Sequence, residues 1–508
     1  MDKNVSQGKD VRYFGASEER LVPDDVIPRG NLPPLRERDL PEPIPIRKMI
    51  GPGIMLAGLA LGSGEFVLWP YITYQQGFVF FWACVLGVIT QYFMNMEITR
   101  WSLATGESAL TGFARLGRYW GVIFLFLNII PWMVPAWARG AGHMIGWLFS
   151  GKEPDSTTVT ALAIAGLFGC GIILTAGKVV YDTVERIQLV LVSLIMLLTI
   201  VLAAFLVRGD AIVAQITGTV SFGFPELTDD LDIVVLLGAL AFAGVGGTLN
   251  LCQSNYVKDK GYGMGRYIGR ITSPITGQEE AISEVGYHFP QTEENMTRWR
   301  QWWRAASVEH FVSFFLTCMV TLILLTLITY SIFYDSNGDL LPEASQYKKG
   351  MSFIFGEAVE LKRRFGSTAQ FGFLVVGVAI LLTTELGVLD AASRVSMDIV
   401  KVNWFRDNDR WTESRLYYAF VWGTIILGTL LLLIGTHKIS SFGLFKFSAA
   451  MNGGVMFLYS LILLWLNRFR LPPGVRMPLW RVLIMIWAVF FFGFFAVWVG
   501  ADVLKKLL

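Results

Sequence analysis

The chain reads as a succession of long apolar runs separated by polar connections. A transmembrane helix needs about 20 mostly apolar residues, and eleven stretches answer to that length. Helix 1 is predicted at 49–73, helix 2 at 78–100, helix 3 at 119–149, helix 4 at 158–176, helix 5 at 187–207 and helix 6 at 231–256. Helix 7 follows at 308–333, helix 8 at 368–392, helix 9 at 416–435, helix 10 at 440–466 and helix 11 at 480–502. Two of these runs are spoiled in the middle. In helix 1 the apolar run Ile54–Leu61 meets Gly62-Ser63-Gly64 and then Glu65, and resumes at Phe66. In helix 6 the run meets Gly244, Gly246 and Gly247, with Thr248, Asn250 and Gln253 just beyond. Each glycine weakens a helix by roughly 1 kcal/mol, and a charge near the bilayer centre costs roughly 2.5–3.5 kcal/mol. A chain that needed only an anchor would avoid both. Discontinuous helices with a carboxylate at the break are how many secondary transporters build a cation site at the membrane midplane.

Helices 1 and 6 each open a set of five, and helix 1 begins inside whereas helix 6 begins outside, so the two sets have opposite topology, the pattern of inverted repeats. The predicted organisation is a disordered tail over 1–46, a first five-helix repeat over 47–207, a second over 208–466 carrying a connection at 258–307, and helix 11 with the C-terminus over 467–508. Lys and Arg set the orientation. With the tail placed inside, inside segments hold 30 of the 42, outside segments hold 10, and Arg139 and Lys446 fall within spans. The N-terminus is therefore expected in the cytoplasm and the C-terminus outside or in the periplasm, with the chain in the plasma or inner membrane. The tail is polar and rich in Pro, Arg, Asp and Glu, without the apolar core of a secretory signal. The connection ends in Arg298-Trp-Arg-Gln-Trp-Trp-Arg304, which suits a helix lying among lipid headgroups.

Composition agrees with the periodicity. Hydrophobic residues make up 54% and charged ones 16%, with a mean hydropathy of +0.51, against about 25% charged in soluble domains. This is an all-α integral membrane protein whose constant partner is the bilayer. A P-loop, a GxSxG elbow and an HExxH pair are all missing, so a non-enzyme is expected, with no nucleic-acid partner and no permanently bound cofactor. Cys84, Cys170, Cys252 and Cys318 lie in apolar stretches without CxxC spacing and read as buried small hydrophobes.

Polar residues inside the spans are the candidate chemistry, because an intramembrane ionisable group is a functional hypothesis by default. Glu65 comes first. Gly62, Gly247, Thr248 and Asn250 could add backbone and side-chain oxygens to an ion or substrate site, with Glu65 and Asn250 as metal ligands. Glu385 in helix 8, and Arg139 with His143 at i, i+4 in helix 3, could carry protons or charge. Asp390 and Arg394 are spaced i, i+4 and read as a pair, and Lys446 reads as a residue that snorkels outward.

These features resemble the Nramp family of divalent metal transporters over roughly residues 50–470. The resemblance rests on Gly51-Pro-Gly at the start of the broken helix 1, on Gln91 through Glu97, Arg100 and Thr105-Gly106 at the end of helix 2, on Asn250-Leu251 after the helix 6 glycines, and on the eleven-span layout. It implies a LeuT-like fold with discontinuous helices 1 and 6, proton-linked uptake and a metal held between those helices. The family's ligand motifs are altered here. Where it has Asp-Pro-Gly-Asn, this chain has Gly62, Ser63, Gly64 and Glu65. Where it has Met-Pro-His-Asn, this chain has Gly247, Thr248, Leu249 and Asn250. The soft thioether is gone, and carboxylate, amide and carbonyl oxygens suit magnesium, calcium and manganese. The expected function is secondary transport of a hard divalent cation, with protons as a candidate coupling ion. A small organic substrate such as an amino acid or organic cation is the alternative, and a membrane sensor or scaffold is a third reading.

Overall fold

The computed structural model describes residues 20–45, 49–272, 285–348, 350–406, 408–435 and 440–507. Among these, nine helices are long and apolar enough to cross a membrane. They are helix 1 (Pro52–Gln76), helix 3 (Tyr119–Ser150), helix 4 (Ser156–Ala176), helix 5 (Val180–Leu206), helix 7 (Glu293–Phe333), helix 8 (Ser367–Trp404), helix 9 (Glu413–Gly435), helix 10 (Ser441–Phe469) and helix 11 (Leu479–Leu507). The two further predicted spans are present in less apolar form. Helix 2 (Phe81–Thr105) carries Gln91, Asn95, Glu97 and Arg100. Helix 6 is split into Ile233–Ala241 and Gly247–Asp259, the second half interrupted by a turn at Cys252.

Hydropathy and burial sort the helices into layers. Helix 5, the most apolar of the nine, is mostly exposed on its outer face, whereas helix 1, the least apolar, is wholly buried. In lipid, an apolar outer face has no reason to hide, so the most hydrophobic helices sit outside and the polar-spoiled ones sit inside. Helix 1 is thus the axis of the bundle. Its start is fixed from another helix. Pro52 occupies the first turn, where its missing N–H costs nothing. The Gly51 and Gly53 amides donate to Glu309 of helix 7 at 3.2 and 3.0 Å.

The two spoiled middles differ in form. Helix 6 breaks open over Phe242–Gly246, and both Gly246 (φ +83°) and Gly247 (φ +58°) lie in the left-handed region that favours glycine. Helix 1 does not open. It widens into a π-helical stretch at Leu61–Leu68 and then continues as α-helix. Such bulges occur often at functional sites, since they leave carbonyls poorly paired. A Cβ on Gly64 would run into the Phe242 carbonyl, so the bulge of helix 1 rests directly on the break of helix 6.

Two expectations about the N-terminal end are corrected. Residues 20–45 of the tail expected to be disordered are folded, while 1–19 and 46 lie outside the described residues. Arg36–Glu37 pairs in parallel with Tyr287–His288, and Leu35 and Leu40 are completely buried. The Trp–Arg segment does not lie flat in headgroups either. It continues helix 7 as one long helix. Trp302 is buried and donates to the Pro41 carbonyl at 2.7 Å, and Arg298 donates to the Leu40 carbonyl at 2.9 Å. Its tryptophans have protein partners in place of lipid: Trp302 the proline-rich tail, Trp299 the Phe289 ring and Trp303 the Arg100 guanidinium.

At the opposite end a helix outside the candidate spans, Ser352–Phe365, covers the C-terminal turns of helix 1. Phe353 packs on Tyr71 and Tyr74, with ring centroids 5.7 and 6.0 Å apart. On the same helix Glu357 is buried and accepts from the Thr329 hydroxyl at 2.5 Å. Burial pushes its carboxyl up to about 8 from the usual 4.5. The folded state therefore keeps this proton at pH values where the unfolded chain has lost it. The stabilisation is full below pH 4.5, falls as pH rises through the interval, and is gone above about 8. Thermal unfolding of wild type beside Glu357→Gln should show the wild type losing ground between pH 5 and 8. Parallel curves would contradict this.

Candidate functional site

The π-helical stretch places the Glu65 carboxyl against helix 7. The carboxyl is 0% exposed. Its Oε2 accepts from the Thr321 hydroxyl, and its Oε1 has no hydrogen-bond partner among the described residues. The Cys318 thiol lies beside it on the same face of helix 7. A carboxylate held in apolar surroundings by one hydroxyl is costly unless a proton or cation shares it. Thr321 was not singled out in the sequence. The signal was present, since Thr317 and Thr321 recur at i, i+4 in an otherwise apolar run.

The remaining candidates of the expected site are spread around the break. The Gly62 amide donates to the Thr384 hydroxyl of helix 8 at 3.0 Å, and that hydroxyl donates to the Gly58 carbonyl at 3.0 Å. Gly247 faces the Asn452 side chain of helix 10. Thr248 donates to Asn128 at 2.6 Å and accepts from the Trp132 indole at 2.8 Å, both in helix 3. Asn250 donates to Gln91 at 3.3 Å and to the Tyr459 hydroxyl at 3.0 Å. Glu65 and Asn250, read together as metal ligands, thus have separate partners on separate helices. No group of three or more His, Cys, Asp or Glu among the described residues is placed to hold a metal ion.

The break itself is walled by rings. Trp132 stacks on Trp137 and on Phe242 at 5.5 and 6.0 Å, and Trp137 meets Phe445 edge-on at 5.4 Å. The buried indole N–H of Trp137 has no partner among the described residues. Aromatic residues in an apolar span carry no signal of their own in the sequence.

The three relay candidates turn in different directions. Glu385 accepts from the Ala138 amide at 3.1 Å. That amide opens the second half of helix 3, which restarts at Ala136 after the kink at Met133–Pro135, so Glu385 caps a helix N-terminus. Arg139 donates to Thr160 and Ser156 of helix 4, both at 3.2 Å. His143 is 3.1 Å from the Ser441 hydroxyl of helix 10 and stacks on Trp147 at 5.5 Å.

Closer to the N-terminal end the pairing is ionic. Arg394 donates to both oxygens of Asp390 at 2.9 and 3.0 Å, as the i, i+4 spacing predicts, and also to Asp259 at the end of helix 6. Tyr417 and Tyr256 donate to Asp390 at 2.7 and 3.1 Å. Lys446 does not snorkel freely. It pairs with Asp232, the N-cap of helix 6, at 2.5 Å.

No family model and no curated protein matches the chain. Solved structures do. The chain is similar to a mutant of the manganese transporter of Eremococcus coleocola, with a TM-score of 0.62 and 13% identity over 90% of this chain and 88% of that one. It is also similar to that transporter in complex with an aromatic bis-isothiourea substituted compound, at 0.61 and 13% over the same shares. MhsT in complex with L-phenylalanine gives 0.55 and 14%, over 88% of this chain and 97% of that one. At such identities the likeness establishes the fold, an all-α membrane fold of LeuT type.

Proposed function

We propose that this chain is a secondary active transporter, diverged from the Nramp pattern, that carries a hard cation of the magnesium, manganese or calcium type with Glu65 as its charged ligand and protons as the coupling ion. The observation that carries the reading is the Glu65 carboxyl, completely buried at the π-helical bulge with one hydroxyl partner and one open oxygen. Carboxylate, hydroxyl and loosely paired carbonyls are hard oxygen donors. A single carboxylate holds such an ion weakly enough to release it. The likeness to a manganese transporter agrees with this reading.

One observation favours an organic substrate instead. The helix 6 break is walled by Trp132, Trp137, Phe242 and Phe445, and aromatic walls suit organic cations and apolar side chains better than hydrated metal. Uptake of manganese, calcium and magnesium into proteoliposomes decides between the two, run beside a panel of amino acids and organic cations. Cation uptake that changes with external pH is the expected result. Uptake of an organic solute alone, by protein shown to be folded, would replace the cation reading. Cation uptake indifferent to pH would remove the protons.

A further inference from the structure

Amide and hydroxyl side chains from three helices meet in the interior apart from the Glu65 carboxyl. Gln91, Asn95 and Thr99 recur every four residues in helix 2 and share one face. Asn250 and Gln253 lie one turn apart in the second half of helix 6. From helix 10, Tyr459 meets Asn250, Asn452 faces Gly247, and Ser448 lies one turn before Asn452. None of the eight is more than 1% exposed. Gln91 donates to the Ala241 carbonyl at the lip of the break at 2.9 Å. Asn250 links Gln91 to Tyr459, and Gln253 reaches the Thr99 hydroxyl at 3.5 Å. The groups form a continuous seam along the second half of helix 6.

The seam is poorly satisfied by protein. Both amide atoms of Asn95, Oδ1 of Asn250, Oε1 of Gln253, Oδ1 of Asn452 and Oγ of Ser448 are buried without a partner among the described residues. Each such atom gives up its hydration without compensation if left dry, and apolar residues of the same size would hold the helices together without that cost. Buried amides in these numbers are accounted for when water or an ion completes them.

We propose that this seam is a hydrated conduit for the transported cation, running from the helix 6 break toward the N-terminal end between helices 2, 6 and 10. Amide oxygens would replace part of the ion's water shell. The seam contains no carboxylate, so the ion would not be held along it. At its far end the turn Gly263–Tyr267 closes against helix 2. Gly263 packs on the Leu103 backbone and Gly106 on that of Met264, and Tyr267 donates to the Asp39 carbonyl at 3.0 Å. The folded N-terminal segment thus braces the plug.

The conduit rests on the reading of the chain as a cation carrier, but its test does not need flux. Full-length Asn95→Cys and Gln253→Cys proteins in proteoliposomes are treated with a small cationic methanethiosulfonate, and the modified site is read by peptide mass spectrometry. The control is Met94→Cys, equally buried at 0% exposure but packed within the hydrophobic core. Asn95→Cys should react at least about tenfold faster than the control, with Gln253→Cys guarding against one variant that fails to fold. Rates at both positions no greater than the control's would overturn the conduit, whatever the uptake assay gives for Glu65→Gln.

Discussion

Glu65→Gln should lower cation uptake about 100-fold while leaving the protein folded. The reasoning starts from what the substitution keeps. Glutamine has the shape of glutamate, and its amide oxygen can still accept from Thr321. It also removes a buried group that is costly when charged, so thermal stability should stay level or rise. What disappears is the one formal charge at the bulge. An interaction between a charged ligand and a cation, set against the same site with a neutral amide, is worth about 2–3 kcal/mol, and each 1.4 kcal/mol is a factor of ten. Thr321→Val should fall between the two, near tenfold, since it removes a hydroxyl from a carboxylate that remains. Uptake by Glu65→Gln within threefold of wild type would remove Glu65 from the site. Loss of uptake together with loss of fold would be read from the melting curve and from gel filtration of the same preparation.

Much of this arrangement was legible in the sequence, and the parts that were not have a common cause. The spans could be counted because lipid imposes a length and a hydropathy on each. Glu65 stood out because nothing local explains a carboxylate there. The i, i+4 pair Asp390–Arg394 followed from helix geometry alone. Contacts between distant residues were not legible. Thr321 lies 256 residues from Glu65, and Asp259 joins Arg394 across 135. The glycines of helix 1 announced a weak helix but not whether it would open or widen. It widened because Gly64 must sit against the Phe242 carbonyl. The proline-rich tail looked unable to bury enough surface to fold. It folds because Trp302, Arg298 and Asn295 of a connection far along the chain supply the surface and satisfy its backbone.

Arg394→Met is expected to produce the largest loss of stability. Arg394 is 0% exposed and sits between two buried carboxylates, Asp390 on its own helix and Asp259 at the end of helix 6. Methionine fills similar space without charge. Asp390 would keep the hydroxyls of Tyr417 and Tyr256, but Asp259 would lose the guanidinium that makes its burial tolerable. Removing one member of a buried ion cluster typically costs about 3–5 kcal/mol, because the remaining charges are left uncompensated. The cluster also ties the second half of the broken helix 6 to helix 8, so its loss should loosen the N-terminal end before the whole molecule melts. Two measurements separate these effects. The melting temperature of purified Arg394→Met should fall well below that of wild type, and the combined variant Arg394→Met, Asp390→Asn, Asp259→Asn should recover much of it. If the triple variant is as unstable as the single one, the guanidinium acts by packing and not by charge. If Arg394→Met melts with the wild type, the cluster is not what holds helix 6 to helix 8.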